Sequence, residues 1–201
     1  MKLECTGVIL AGGKNSRLPG KKKTFHRVGD TTMVARLAGL FSKIFTETII
    51  VVNEPRDFAG LDMMVVTDII PARCALAGLH TGLFYARNPH AYVTACDIPF
   101  ANEAVIRYLV GKADGRAHVV VPRTNEGLEP LSAVYSRHCI PHIEAKLNEN
   151  RRMIKSFFKK KRVKEIPVEV LKKLDPDLRF IFNVNTPEDL ARAKQMADPG
   201  A

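Results

Sequence analysis

The sequence predicts one α/β domain over residues 1–201, with a mainly parallel sheet between two layers of helices. Three observations carry that expectation. Short apolar or β-branched runs alternate with stretches of helical periodicity along most of the chain, the pattern that builds parallel sheets joined by helical crossovers. A chain of 201 residues buries enough apolar surface to fold without disulfides or a structural metal. No internal repeat, low-complexity tract or composition shift marks a linker, so the elements belong to one unit.

Strands are expected over 7–10, 48–52, 64–66, 91–95, 118–121, 131–135 and 180–183. Helices are expected between them. Met33, Leu37, Leu40 and Ile44 recur at three- and four-residue spacing, as do Leu76, Leu79, Leu83 and Ala86, and also Val105, Ile106 and Leu109, so each segment has an apolar face for the sheet. The last helix has the clearest start: Thr186 caps it, Pro187 suits its first turn, and Glu188 and Asp189 suit the positive end of the dipole. Leu190, Ala193 and Ala197 form its inner face. Residues 123–130 are polar and turn-rich, which reads as a loop at the edge of a site.

Composition excludes several classes. Hydrophobic residues are 46% and charged residues 26% of the chain, which argues against disorder and against a fibrous fold. The longest apolar stretches, 48–52 and 117–121, fall far short of the run of about 20 residues that crosses a bilayer. The first residues lack the long apolar segment of a secretory signal, and a cytoplasmic location is expected. Cys5, Cys74, Cys96 and Cys139 are too far apart in sequence for a zinc knuckle or a redox pair, and Cys5 and Cys96 sit in apolar strand-like runs as small hydrophobes.

Lysine and arginine outnumber aspartate and glutamate by 31 to 21, a net charge of +10 that favours polyanionic partners: nucleotides, nucleic acids or anionic cofactors. The excess is concentrated at 14–27 and 151–164. Taken alone, the second run reads as a solvated helix face. An RNA-binding module is disfavoured, because aromatics are only 7% and no aromatic cluster offers a stacking surface.

The most informative stretch directly follows the first strand: Leu10-Ala11-Gly12-Gly13, with Arg17 and Lys23 shortly after. Paired glycines let the backbone bend sharply and bring its N–H groups close to a phosphate. Arg17 and Lys23 would close over the phosphates with fixed positive charge. The spacing is neither that of a Walker A loop nor G-x-G-x-x-G. A second element, Cys96-Asp97-Ile98-Pro99, brings an apolar strand straight into an aspartate, where an open α/β sheet holds its ligands and where a magnesium ligand is needed. In the third, Asn183-Val184-Asn185-Thr186-Pro187, the two asparagines share one side of an extended segment and either bind a ligand or form the turn.

Together these elements resemble the molybdenum cofactor guanylyltransferases, within the nucleotidyltransferases that begin with a Leu-Ala-Gly-Gly loop. The resemblance runs from Thr6 to about Ala197. It also rests on Val51-Val52-Asn53, Asp68, Leu76-Ala77-Gly78, Glu129-Pro130-Leu131 and Arg151-Arg152. It implies a Rossmann-like sheet of the nucleotide-diphospho-sugar transferase type and transfer of GMP from GTP, with Mg²⁺, to molybdopterin or molybdenum cofactor. By the same resemblance Leu10, Ala11, Gly12, Gly13, Lys23 and Gly78 belong to the nucleotide site, Asn53 and Asp68 contact the nucleoside, and Asp97 holds the metal. Arg17, Lys23 and Asp97 would be catalytic, with Arg151, Arg152, Asn183 and Asn185 on the acceptor. Maturation proteins of molybdoenzymes are implied partners, while nucleic acid and membrane are not. The chain departs from the family pattern at Pro19, at Lys22 and at Cys74-Ala75. The alternatives are a cytidylyltransferase for the same pterin, a sugar-phosphate nucleotidyltransferase, or a regulator that binds GTP without turnover.

Overall fold

A computed structural model describes residues 1–12, 23–158 and 162–198. In chain order the elements are β1 (Leu3–Leu10), β2 (Arg27–Val28), β3 (Thr31–Thr32), α1 (Met33–Ile44), β4 (Phe45–Val52), β5 (Met64–Thr67), α2 (Ala75–Tyr85), β6 (His90–Ala95) and α3 (Glu103–Gly111). They continue with β7 (Val119–Thr124), β8 (Gly127–Leu128), β9 (Ser132–Ser136), α4 (Ile140–Asn148), β10 (Val163–Pro167), α5 (Val168–Leu171) and α6 (Pro187–Ala197). The main sheet runs β10-β7-β9-β6-β1-β4-β5, with β8 paired to β7. It is parallel except at β9, which is antiparallel to both β6 and β7, and at the β7–β8 hairpin.

The period-two alternation of each strand divides its side chains between two cores. Ile9, Ile50, Val52, Tyr92, Val120 and Val134 face one side, where α1 presents Leu37, Phe41 and Ile44 and α3 presents Val105, Ile106 and Leu109. Val8, Leu10, Ile49, Val51, Val93, Val121 and Ala133 face the other, against Leu76, Leu79 and Leu83 of α2 and Ile143 of α4. The sheet is therefore the middle of three layers. Gly82 lets α2 lie close on β1: a Cβ there would stand 2.6 Å from Val8 Cγ1. His80 joins the two helices of this layer, its Nε2 2.8 Å from Glu144 Oε1.

Three expectations need correction. Residues 180–183 are not a strand. Arg179–Ile181 forms a 3-10 turn, and its polar groups are satisfied outside any ladder: Asp175 accepts from the Phe180 N–H at 2.9 Å and Ser132 Oγ donates to the Phe180 carbonyl at 3.1 Å. The described part of the basic run after Arg151 is not a solvated helix face; residues 159–161 lie outside the described residues. Ile154–Phe157 is a 3-10 turn with Ile154 and Phe157 buried, and the run ends in β10, a strand whose apolar signal is interrupted by Lys164 and Glu165. Residues 123–130 are not irregular throughout, because β7 and β8 close a hairpin across them. No helix among the described residues is long and apolar enough to cross a membrane.

Candidate active site

The chain leaves β1 for β4 and β5 on one side and returns to β6 on the other, so the sheet order reverses at β1 and β6. Ligands of open α/β sheets sit in the crevice outside the carboxyl ends of strands at such a point. Two backbone bonds fix its floor: Cys96 N–H donates to the Leu10 carbonyl at 2.9 Å, and Ala11 N–H to the Val51 carbonyl at 2.8 Å. Gly12 is thereby the first residue beyond the sheet, with Asp97 two residues past the end of β6.

Lys23 opens a short 3-10 turn after the loop and reaches into this crevice. Its Nζ lies 2.8 Å from Asp97 Oδ2 and 2.8 Å from Asn185 Oδ1. Three predicted residues, separated by as many as 162 positions in sequence, thus form one contact. Val184 N–H donates to the Asp97 carbonyl at 2.8 Å, and the Val184 side chain is buried. Asn185 is half-buried beside Lys23, while Asn183 is exposed.

Asp189, expected from sequence only as a charge for the helix dipole, is a neighbour of Asn185. Its Oδ2 accepts from the backbone N–H groups of Asn185 and Thr186, both at 2.9 Å, while Thr186 Oγ1 accepts from the Asp189 N–H. The Asn185 and Thr186 N–H groups hold its carboxyl below the usual range, with a further contribution from the Lys23 charge. The Thr-x-x-Asp spacing of a capping box is the signal that locates it.

Asp97 Oδ1 is buried and has no hydrogen-bond partner among the described residues, while Oδ2 is held by Lys23. Leaving a carboxylate oxygen dry and unpaired is costly, and a hard divalent cation relieves that cost. No three His, Cys, Asp or Glu side chains converge as ligands among the described residues. A cation at Asp97 would be held by one or two carboxylates and completed by substrate phosphates and water, as Mg²⁺ is in phosphate-handling sites.

Several residues predicted for the nucleotide lie on the β1–β4–β5 flank. A Cβ on Gly12 would stand 3.0 Å from Asn53 Oδ1, so the loop backbone and the Asn53 amide are neighbours at the ends of β1 and β4. A Cβ on Gly78 would meet Leu10 Cδ2 at 3.4 Å and Asp68 Oδ1 at 3.8 Å. Leu10 and Gly78 therefore form the wall beside Asp68. Burial pushes the Asp68 carboxyl up, opposed by the nearby His80. Ile69 N–H donates to Thr81 Oγ1 at 3.0 Å, which anchors the Asp68 turn on α2.

The predicted site is not all in contact. Arg151 pairs with Glu149 at 3.2 Å and Arg152 donates to Asn150 Oδ1 at 3.2 Å, and both arginines are exposed. Gly13, Arg17, Pro19 and Lys22 lie outside the described residues. The cysteines are free thiols; burial pushes Cys5 and Cys139 up to about 12 each, which keeps them protonated and unreactive.

Residues 7–165 match the family model described as the MobA-like NTP transferase domain. The chain is 39% identical over 195 residues to a molybdenum cofactor guanylyltransferase of Desulfosudis oleivorans, covering 97% of this chain and 96% of that one. A probable molybdenum cofactor guanylyltransferase of Pelotomaculum thermopropionicum is 39% identical over 197 residues, covering 98% and 95%. In fold, the chain is similar to molybdopterin-guanine dinucleotide biosynthesis protein A from Archaeoglobus fulgidus, with a TM-score of 0.86, 24% identity and coverage of 96% and 99%. With Gly12, Lys23 and Asp97 gathered at the switch point of the sheet, and with relatives matched along nearly their whole length, this chain is a nucleotidyltransferase that belongs to the MobA-like NTP transferase family.

Proposed function

We propose that this nucleotidyltransferase transfers GMP from Mg²⁺-bound GTP to the phosphate of molybdopterin or molybdenum cofactor, forming the guanine dinucleotide and releasing pyrophosphate. The observation that carries the reading is the contact of Lys23, Asp97 and Asn185 at the ends of β1 and β6, with one Asp97 oxygen buried and unpaired. The names of the full-length relatives supply the substrates.

An acceptor phosphate is already ionised, so the chain needs no side-chain nucleophile; it contributes orientation and charge. An acceptor oxygen attacks the α-phosphorus in line, the bond to the β-phosphate oxygen breaks, and pyrophosphate carries away the electron pair. Mg²⁺, held by Asp97, would neutralise phosphate charge. Lys23 would bind phosphate oxygens beside the Gly12 backbone, and Asn53 and Asp68 would hold the nucleoside. Asn183 and Asn185 would hold the acceptor next to Asp97, and Arg151 and Arg152 would take its phosphate. Arg17 is assigned to the phosphates on sequence alone.

Incubation with each NTP, Mg²⁺ and molybdopterin, with product detected by mass, tests the proposal. The expected product forms with GTP. A dinucleotide formed only with CTP would reassign the base, and transfer only to a sugar phosphate would reassign the acceptor.

A further inference from the structure

Glu129-Pro130-Leu131 contributes to the sequence resemblance, yet the transfer described above assigns these residues nothing. The fold places Glu129 just before β9, beside the strand that leads to Asp97. Thr94 of β6 and Ser132 of β9 are direct partners in the antiparallel ladder. Asp97 is three residues beyond Thr94 and Glu129 three residues before Ser132, so both leave the same end of neighbouring strands. The segment bearing Asn183 and Asn185 joins them, because Ser132 Oγ donates to the Phe180 carbonyl and Val184 N–H to the Asp97 carbonyl.

Glu129 is also held rigidly. Its N–H donates to the Pro122 carbonyl at 3.0 Å, its carbonyl accepts from Ser132 N–H at 3.2 Å, and the buried Tyr135 hydroxyl donates to the adjacent Pro130 carbonyl at 2.6 Å. One carboxylate oxygen accepts from Thr124 Oγ1 at 3.3 Å, and the side chain makes no ion pair among the described residues. Half-burial pushes this carboxyl up, opposed by the Thr124 hydroxyl and by the charge of Lys155, whose Nζ would lie 3.5 Å from a Cβ on Gly127. A preorganised, half-buried carboxylate with spare acceptor capacity is suited to a ligand that offers a pair of N–H donors.

Along the sheet, Asp68 follows β5 on the far side of β1 and β4, while Glu129 precedes β9 on the opposite side of Asp97. Guanine and a pterin both present a ring N–H and an exocyclic amine on their amino-pyrimidinone edge. With the nucleoside assigned to the Asp68 flank, the remaining donor edge in the reaction is that of the acceptor. Resting on the proposed GMP transfer, we infer that Glu129 binds the ring N–H and exocyclic amine of the acceptor's pterin. Glu129 is then a specificity residue.

The test uses the full chain and two fluorescent probes, 6-hydroxymethylpterin phosphate and 6-hydroxymethyllumazine phosphate, which differ by replacement of the exocyclic amine with an oxo group. The wild-type chain should bind the pterin about 10-fold or more tightly than the lumazine, the scale of removing a charge-assisted donor from a site built to accept it. Glu129→Gln, nearly isosteric, should bring that preference close to one while leaving GTP affinity unchanged; Asp68→Asn should do the reverse. A wild-type preference retained in Glu129→Gln, or no preference in the wild type, overturns the inference. The GMP-transfer reading is tested separately by product formation in the wild type, so dinucleotide made by an enzyme indifferent to the two probes would sink only the role of Glu129.

Discussion

Lys23 Nζ stands 2.8 Å from Asp97 Oδ2, and both side chains are largely shielded, at 17% and 22% exposure. In the ligand-free chain the cation assigned to phosphate and the carboxylate assigned to metal neutralise one another. The pair keeps two charged groups apart from water at the mouth of the sheet, and it identifies which substitutions separate folding from function.

Lys23→Ala removes a charge and the partner of a partly buried carboxylate. Losing a preorganised electrostatic group costs about 10²-fold or more in turnover. Leaving Asp97 unpaired costs about 1–3 kcal/mol of stability, which a 201-residue domain survives. Thermal unfolding and GMP transfer measured on the same sample check both; near-normal transfer would move the phosphate site elsewhere.

Asp97→Asn keeps the hydrogen bond of Asn185 to Lys23 and removes the negative charge that suits a hard divalent cation. Transfer should fall by about 100-fold or more. Titration of GTP with and without Mg²⁺ supplies the control. Wild-type metal dependence in the variant would reduce Asp97 to a turn residue.

The central strands and α1, α2, α3 and α6 were legible because their apolar positions repeat with the period of the element that buries them. The 180–183 segment was not, because Phe180-Ile181-Phe182 is as apolar as a strand and only the bonds from Asp175 and Ser132 decide otherwise. Strand β10 was hidden for the opposite reason. Among the described residues it is an edge strand paired to β7, and it tolerates Lys164 and Glu165, so its charge masked its pairing. In the site, Lys23 and Asp97 could be named from local motifs, whereas their contact with Asn185 arises only from folding across 162 positions. The positioning role of Asp189 was open to the sequence through the Thr186-x-x-Asp189 capping-box spacing, but its hold on the Asn185 N–H lies one residue outside that box and appears only in the fold.

Gly12→Ala and Gly7→Ala should fail differently. Among the described residues a Cβ at Gly12 meets the end of the Asn53 side chain, at 3.0 Å, which can swing aside. The expected result is weaker GTP binding with little change in stability. At Gly7 the Cβ would lie 2.4 Å from a Phe45 ring carbon and 2.7 Å from Phe41, inside the core. Overpacking there costs about 1–3 kcal/mol, read as a lower melting temperature. Equal loss of stability in both variants would contradict the placement of Gly12 outside the sheet.

Stability should fall as pH drops from 7.5 to 5.5. The His118 ring lies 5.5 Å from that of His138 and 6.3 Å from that of His142. Burial lowers His118 first, then the charges of Arg162, His138 and His142; burial and His138 lower His90. Their unfolded values lie near 6.5, so above that pH both states are neutral and the fold is unaffected. As pH falls through about 6.5 the unfolded chain takes up protons before the folded one, and stability is lost. Asp68 and Glu129, pushed the other way, act in the opposite sense in the carboxylate range. Thermal unfolding across this range checks the direction, and His118→Gln should flatten the slope. A flat wild-type profile would refute it.

Replacing Arg151 and Arg152 together by alanine tests whether the basic segment serves the acceptor. Both side chains are exposed, and their partners, Glu149 and Asn150, are sequence neighbours rather than parts of the core. Exposed pairs of this kind contribute about 1 kcal/mol or less, so the melting temperature should barely move. The two guanidinium groups are therefore free to exchange weak local partners for an anion. On a pterin phosphate they would form charge-assisted bonds that GTP does not share. The double variant should then keep the wild-type GTP affinity, bind molybdopterin about 10-fold or more weakly, and recover product formation as acceptor concentration is raised. That recovery separates lost binding from lost chemistry. Equal weakening for GTP and acceptor would place the arginines on the triphosphate instead, and no change in either would return them to the role of solvated surface charge.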